Sequence, residues 1–213
     1  MDFTLDATQV RALGCLMEKE LSTPEYCPLS LNALVNACNQ KTNRQPVLAL
    51  DADTVDAALR SLKDQQLVVQ SDASRVPKFW QALGKQCHLI DREVALLCLL
   101  MLRGPQTAAE LRARGESLCA FETPEQAAEA LDNLTTTGLI VQLPRQPGQK
   151  ESRYTHLLGG AAETDEPATT VAAAPAGPSM AARIEQLETT VAGLQEELRL
   201  LRQEFTAFRS HFA

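Results

Sequence analysis

The chain has 213 residues, of which 45% are hydrophobic and 22% charged, enough apolar material for one or two ordinary globular cores. Nine aromatic residues leave little for a platform that stacks single-stranded bases, and a formal charge of −7 opposes indiscriminate polyanion binding. The six cysteines are dispersed with no C-x-x-C pair, which spells out neither a zinc ribbon nor a redox dithiol; Cys15 and Cys98, inside apolar helical runs, read as reduced core thiols.

The amino-terminal stretch Met1-Asp2-Phe3-Thr4-Leu5-Asp6 has acids where a secretory signal needs cations and an apolar run, so a cytoplasmic location is expected. Asp6 reads as an N-cap for a helix that places Val10, Leu13 and Met17 on one face. Ser30 caps a second helix over Leu31, Leu34 and Val35, and a third begins near Asp53 with Val55, Leu59 and Leu62 inward. Leu67 to Gln70 and Lys78 to Leu83, around a polar stretch from Ser71 to Ser74, read as a hairpin on which Trp80 packs the ribbon onto the helices.

The same order then repeats. Ala12-Leu13-Gly14-Cys15-Leu16-Met17 returns as Ala95-Leu96-Leu97-Cys98-Leu99-Leu100, and Leu59 to Leu62 with Leu67 to Gln70 returns as Leu131 to Leu134 with Leu139 to Gln142. The offset falls from 83 to 72 residues, so the first copy carries longer loops, a cheap variation. Asp91, Thr107 and Thr123 stand at the matching helix starts, and the second hairpin runs from Leu139 to Leu143 and back from Arg153 to Leu158, with Tyr154 as the rough counterpart of Trp80. The longest apolar run, Val94 to Leu102, has nine residues against about 20 needed for a membrane-spanning helix.

Three small helices closed by a two-stranded ribbon describe a winged helix. The expected fold class is mainly α with small β-hairpins (α+β): tandem winged-helix domains over 1–88 and 89–160, a flexible Ala/Thr/Pro/Gly linker over 161–179, and a coiled-coil helix over 180–213. The stretches from Leu29 to Arg44, Met101 to Thr107 and Arg153 to Leu158 resemble the YceH family of bacterial proteins. The resemblance covers roughly Asp6 to Gly160; it implies tandem winged helices and no chemistry.

In the tail, Ile184, Val191, Leu198 and Phe205 at a, with Leu187, Leu194, Leu201 and Phe208 at d, form a heptad seam. Arg183 with Glu188, Glu197 with Arg202 and Glu204 with Arg209 are opposite in sign at g and e, as a parallel homodimer requires.

Function turns on where the cations lie. Residues 1–88 hold nine Lys and Arg against ten acids, and residues 89–160 seven against nine. The best duplex-facing surface is the loop Asn39-Gln40-Lys41-Thr42-Asn43-Arg44-Gln45, joined by Arg60, Lys63, Arg75 and Lys78, because amides pair with adenine, Arg with guanine and Lys with phosphate. The alternative for Asn39 and Asn43 is a polar loop that satisfies its own backbone. The second copy's third helix faces outward with Glu125, Glu129, Asp132, Asn133 and Thr136, three acids and no base, which suits a protein partner better than a groove.

Neither a phosphate loop nor metal-ligand spacing among His88, His156 and His211 is present, so no enzymatic activity, cofactor or metal is expected. Two readings result: a dimeric, double-stranded-DNA-associated regulator contacting DNA through residues 1–88, or a protein-interaction scaffold that binds no DNA.

Overall fold

The computed structural model describes residues 4–145, 149 and 151–159. The linker over 161–179, the heptad helix over 180–213 and its dimerisation residues lie outside the described residues, as does most of the turn from Gln146 to Lys150. The described residues are α+β: seven α-helices and two three-stranded antiparallel sheets, in two runs of matching order.

The first run comprises α1 (Ala7–Ser22), β1 (Leu29–Ser30), α2 (Leu31–Cys38), α3 (Ala52–Asp64), β2 (Val68–Ser71), β3 (Lys78–Gln81) and a short α4 (Leu83–Gln86). The second comprises α5 (Asp91–Arg103), β4 (Gln106–Thr107), α6 (Ala108–Gly115), α7 (Pro124–Thr136), β5 (Ile140–Gln142) and β6 (Arg153–His156). Sheet order is β1-β3-β2 in one and β4-β6-β5 in the other. The added third strands are only two residues long, too short to carry an alternating pattern, which is why the ribbons read as two-stranded.

Local signals account for the helix starts. Asp6 Oδ1 accepts from the N–H groups of Thr8 and Gln9, while the Asp6 N–H donates to Gln9 Oε1. Ser30 Oγ accepts from the Ala33 N–H, and Thr107 Oγ1 from the Glu110 N–H. Two expectations shift: α3 is capped by Asp51, two residues before Asp53, and α5 is entered from Ile90, whose N–H donates to Glu93 Oε2, with Asp91 already in the first turn. Leu83, expected at the end of a strand, begins α4.

Strand register corrects the aromatic pairing. Leu29 and Gln70 face Phe79, and Gln106 and Gln142 face Tyr154, so Tyr154 corresponds to Phe79 rather than to Trp80. Phe79 is the ring buried under β3, and Trp80, one residue on, points to the opposite, half-exposed face.

One apolar cluster runs through both repeats. Nine successive residues of α1, Val10 to Glu18, and ten of α5, Glu93 to Leu102, are buried on every side, because each helix packs on its own repeat and on the other. Gly14 makes the approach possible: a Cβ there would lie 3.0 Å from Leu102 Cδ2 and 3.3 Å from Met101 Cβ. Backbone bonds stitch the same seam, Gln45 N–H to Leu102 O at 2.8 Å and Leu5 N–H to Leu158 O at 2.7 Å. By contrast α3 and α7 bury a single stripe each, Val55, Ala58, Leu59 and Leu62 in one and Ala127, Ala130, Leu131 and Leu134 in the other.

Candidate interaction surfaces

The loop from Asn39 to Leu50 does not present its polar groups to solvent as a unit. Asn39 uses its amide like a strand, donating from Nδ2 to Leu50 O at 2.7 Å and accepting the Leu50 N–H at 2.8 Å, which closes the loop at its base. Arg11, on α1, reaches into it from below and donates to Cys38 O at 3.1 Å and Pro46 O at 2.6 Å. Its burial lowers the pKa of the guanidinium, with the Arg44 charge acting in the same direction.

Arg44, expected to read bases, is the principal correction. Its side chain has no exposed surface, and its two terminal nitrogens hold both Glu18 oxygens at 3.0 and 2.6 Å. Nε donates to Ala37 O at 3.1 Å, and Nη1 and Nη2 donate further to Asn43 O and Gln40 Oε1, both at 3.0 Å. Burial opposes the charge, but the hydrogen bonds to Glu18 outweigh it and hold the pKa above the ordinary arginine value. A guanidinium with its donors committed inside a fold has nothing left for guanine.

The remaining candidates divide. Gln40 is spent on Arg44, and Asn43, at φ 61°, accepts from Arg103 Nη2. Arg60 is ion-paired with Asp56 one turn back on α3, while Lys63 donates to Gln70, which donates onward to Asp72 at 2.6 Å. Lys41 and Arg75 are exposed and make no ion pair among the described residues, and Lys78 is half-buried on β3 opposite Ser71. Of nine side chains expected to form one cationic face, four are folded into the loop and two are matched by neighbours on α3 and β2.

The outward face of α7 is as the sequence implies. Glu125, Glu129, Asp132 and Thr136 are exposed, as is Asn133, whose amide nonetheless reaches Glu93 Oε1 at 3.1 Å. No lysine or arginine lies on this helix, and the positive charge that acts on Glu125 is that of Arg112, on α6.

A cluster not anticipated as a unit surrounds the turn Gly104-Pro105-Gln106, after α5. Arg103 ends α5, Arg114 closes α6 and donates to Gln106 Oε1, and Arg153, opposite Thr107 in the sheet, donates to Pro105 O at 2.8 Å. Arg153 opens β6 at the turn end of the β5–β6 hairpin, where its carbonyl accepts the Leu143 N–H at 2.7 Å, and β4 lies on its other side. The only sequence signal for Arg103 was its closeness to Gly104 and Pro105, which marks a helix end and says nothing of Arg114.

No helix among the described residues is long and apolar enough to cross a membrane, and no group of three His, Cys, Asp or Glu among them is placed to hold a metal ion. Cys15, Cys38 and Cys98 are buried thiols; burial pushes Cys98, which donates to Gly14 O at 3.4 Å, well above the ordinary thiol range.

Comparison with known proteins returns a family model described as "Protein of unknown function, DUF480", matching residues 5–149. The chain is 45% identical over 213 residues to a UPF0502 protein of Solibacter usitatus, with all of both chains covered. It is 48% identical over 194 residues to one of Koribacter versatilis, covering 90% of each. A UPF0502 protein of Xanthomonas campestris is 46% identical over 212 residues, covering 95% of each.

Proposed function

The chain belongs to the DUF480 (UPF0502) family, and on that footing we propose that it is a non-enzymatic adaptor: two winged helices fused into one body that holds partner proteins. The YceH resemblance points to the same tandem architecture, and the heptad seam over 180–213 gives the adaptor a route to a parallel homodimer in the cytoplasm. The observation that carries the reading is the solvent face of α7. In a winged helix the third helix is the element that enters a major groove, and here it presents Glu125, Glu129 and Asp132 with no cation of its own. Carboxylates facing phosphates lose Coulomb energy and release no counterions, whereas the same face suits a basic protein surface.

The burial of Arg44 supports this choice over a DNA-associated regulator, since it removes the strongest base-reading side chain from the first repeat. Electrophoretic mobility shift with duplex DNA, at low and at physiological salt, tests the reading: no retarded complex is expected at either. A photo-crosslinking residue at Glu129 is expected to give a discrete protein adduct that Glu125→Lys with Asp132→Lys abolishes. Salt-sensitive DNA binding that weakens in Lys41→Ala would overturn the proposal.

A further inference from the structure

The guanidinium groups of this protein are in two opposite conditions. Arg44 is saturated, with a bidentate carboxylate and three further acceptors. Around the turn from Gly104 to Gln106 stand three guanidiniums, and two of them share one carboxylate, Glu110, which lies 3.8 Å from Arg114 Nη2 and 3.7 Å from Arg153 Nη1, beyond hydrogen-bond distance in both cases. Glu110 is moreover committed to its own helix start, where Oε2 accepts the Thr107 N–H at 3.0 Å. Nε of Arg103 is buried without a hydrogen-bond partner among the described residues. Burial, and then the positive charge of Arg114, disfavour the charged form of Arg103, with the Glu18 carboxylate acting in the opposite direction.

Three cations against one anion leave a local excess of about +2 on a surface turn, and the side chains of Arg114 and Arg153 are more than a third exposed. Arginine forks left open in this way match carboxylate oxygens two at a time. The dimensions favour a short ligand. The cluster is confined to one turn of a chain of net charge −7, whereas a duplex spreads its phosphates over many base pairs and needs a long cationic track. Lys41, two residues before the Asn43 that Arg103 holds, is exposed on the loop of the first repeat.

We infer that the turn Gly104-Pro105-Gln106, ringed by Arg103, Arg114 and Arg153, is a docking point for an acidic peptide segment of a partner protein. The inference rests on the adaptor reading and adds to it a second surface, opposite in sign to α7. Binding of the ligand relieves the repulsion between Arg103 and Arg114 by placing carboxylates between them.

Fluorescence anisotropy of the full chain with a fluorescein-labelled hexaglutamate peptide at low ionic strength tests it. The wild type is expected to bind, and Arg103→Gln with Arg114→Gln to weaken binding by about tenfold or more, as expected for lost charge-assisted hydrogen bonds. Lys85→Gln with Arg92→Gln removes the same charge elsewhere and is expected to change affinity by less than about twofold. Should the arginine pair fail to fold in a thermal melt, Arg153→Gln alone, with its single backbone acceptor at Pro105, decides through the same loss. Absence of peptide binding by the wild type, or equal weakening in both double variants, overturns the inference while leaving a Glu129 crosslink, and so the adaptor, standing. Duplex DNA that binds and is released by the Arg103 and Arg114 variants overturns both.

Discussion

The two repeats share an element order and a sheet topology, yet they handle buried charge in opposite ways. The first carries the longer connection between its second and third helices and fixes it with two internal arginines, Arg11 and Arg44, that donate to loop and helix-end carbonyls and to Glu18. The second crosses the corresponding gap in eight residues, from Glu116 to Thr123, and Arg114 and Arg153 remain at the surface around the turn after α5, beside a half-buried Arg103. Cations counted in a sequence are therefore no measure of surface potential: in one repeat they are struts, in the other they face outward.

Arg44→Met tests that contrast most severely. Removing one partner of a buried pair leaves Glu18 with only the Lys19 ammonium, 3.5 Å from its Oε2, and a loss of about 3 kcal/mol is expected in urea unfolding. Arg60→Met, which removes an exposed pair with Asp56, is expected to cost less than about 1 kcal/mol in the same assay. Recovery of much of the loss by Glu18→Gln in the Arg44→Met background would locate the cost in the orphaned carboxylate.

A comparable probe in the second repeat is Gly115→Ala. The added Cβ would stand 2.6 Å from Cε2 of the buried Phe121, so overpacking of about 1 to 3 kcal/mol is expected, read as a lower Tm. Helix entry is where the repeats should agree. Ser30→Ala and Thr107→Ala remove equivalent caps, and each is expected to cost about 1 kcal/mol by denaturant titration.

The mildest of these differences concerns equivalent strand positions with unlike side chains. Gln81 faces Val68 and is fully engaged, donating to Glu20 Oε2 at 2.7 Å and accepting the Gly84 N–H at 2.9 Å. His156 faces Ile140 in the same place, and its Nδ1 is buried with no partner among the described residues. Burial lowers its pKa, so the unfolded chain takes up the proton first. Stability is then complete above the ordinary histidine value of about 6.5 and falls as pH drops through it toward the folded pKa. Urea midpoints between about pH 7.5 and 5.5 should show this slope, and His156→Gln, which copies the first repeat, should flatten it.

Much of this architecture was legible in the chain. Period-3.6 apolar spacing and the oxygens of Asp6, Ser30 and Thr107 mark helices whose starts the structure reproduces, and the internal offsets locate the extra loop length in the first repeat. The acidic face of α7 was legible for the same reason, since helical geometry fixes which residues face away from Leu131 and Leu134. What sequence reasoning misplaced were contacts that depend on tertiary packing. Nothing near Arg44 announces Glu18, 26 residues earlier, and a two-residue strand such as β4 leaves no periodic trace by which to draw Arg153 toward Arg114. The three stretches that carry the YceH resemblance include the loop holding Asn43, the turn after Arg103 and the strand begun by Arg153, and these meet in space.

The seam between α1 and α5, with Gly14 as the notch and Leu102 as the tooth, joins two halves of a single polypeptide. A contact of that kind has a local concentration set by the intervening peptide and not by how much protein a cell makes. Dilution that would dissociate a pair of independent subunits leaves it assembled, so the body keeps its shape at any abundance.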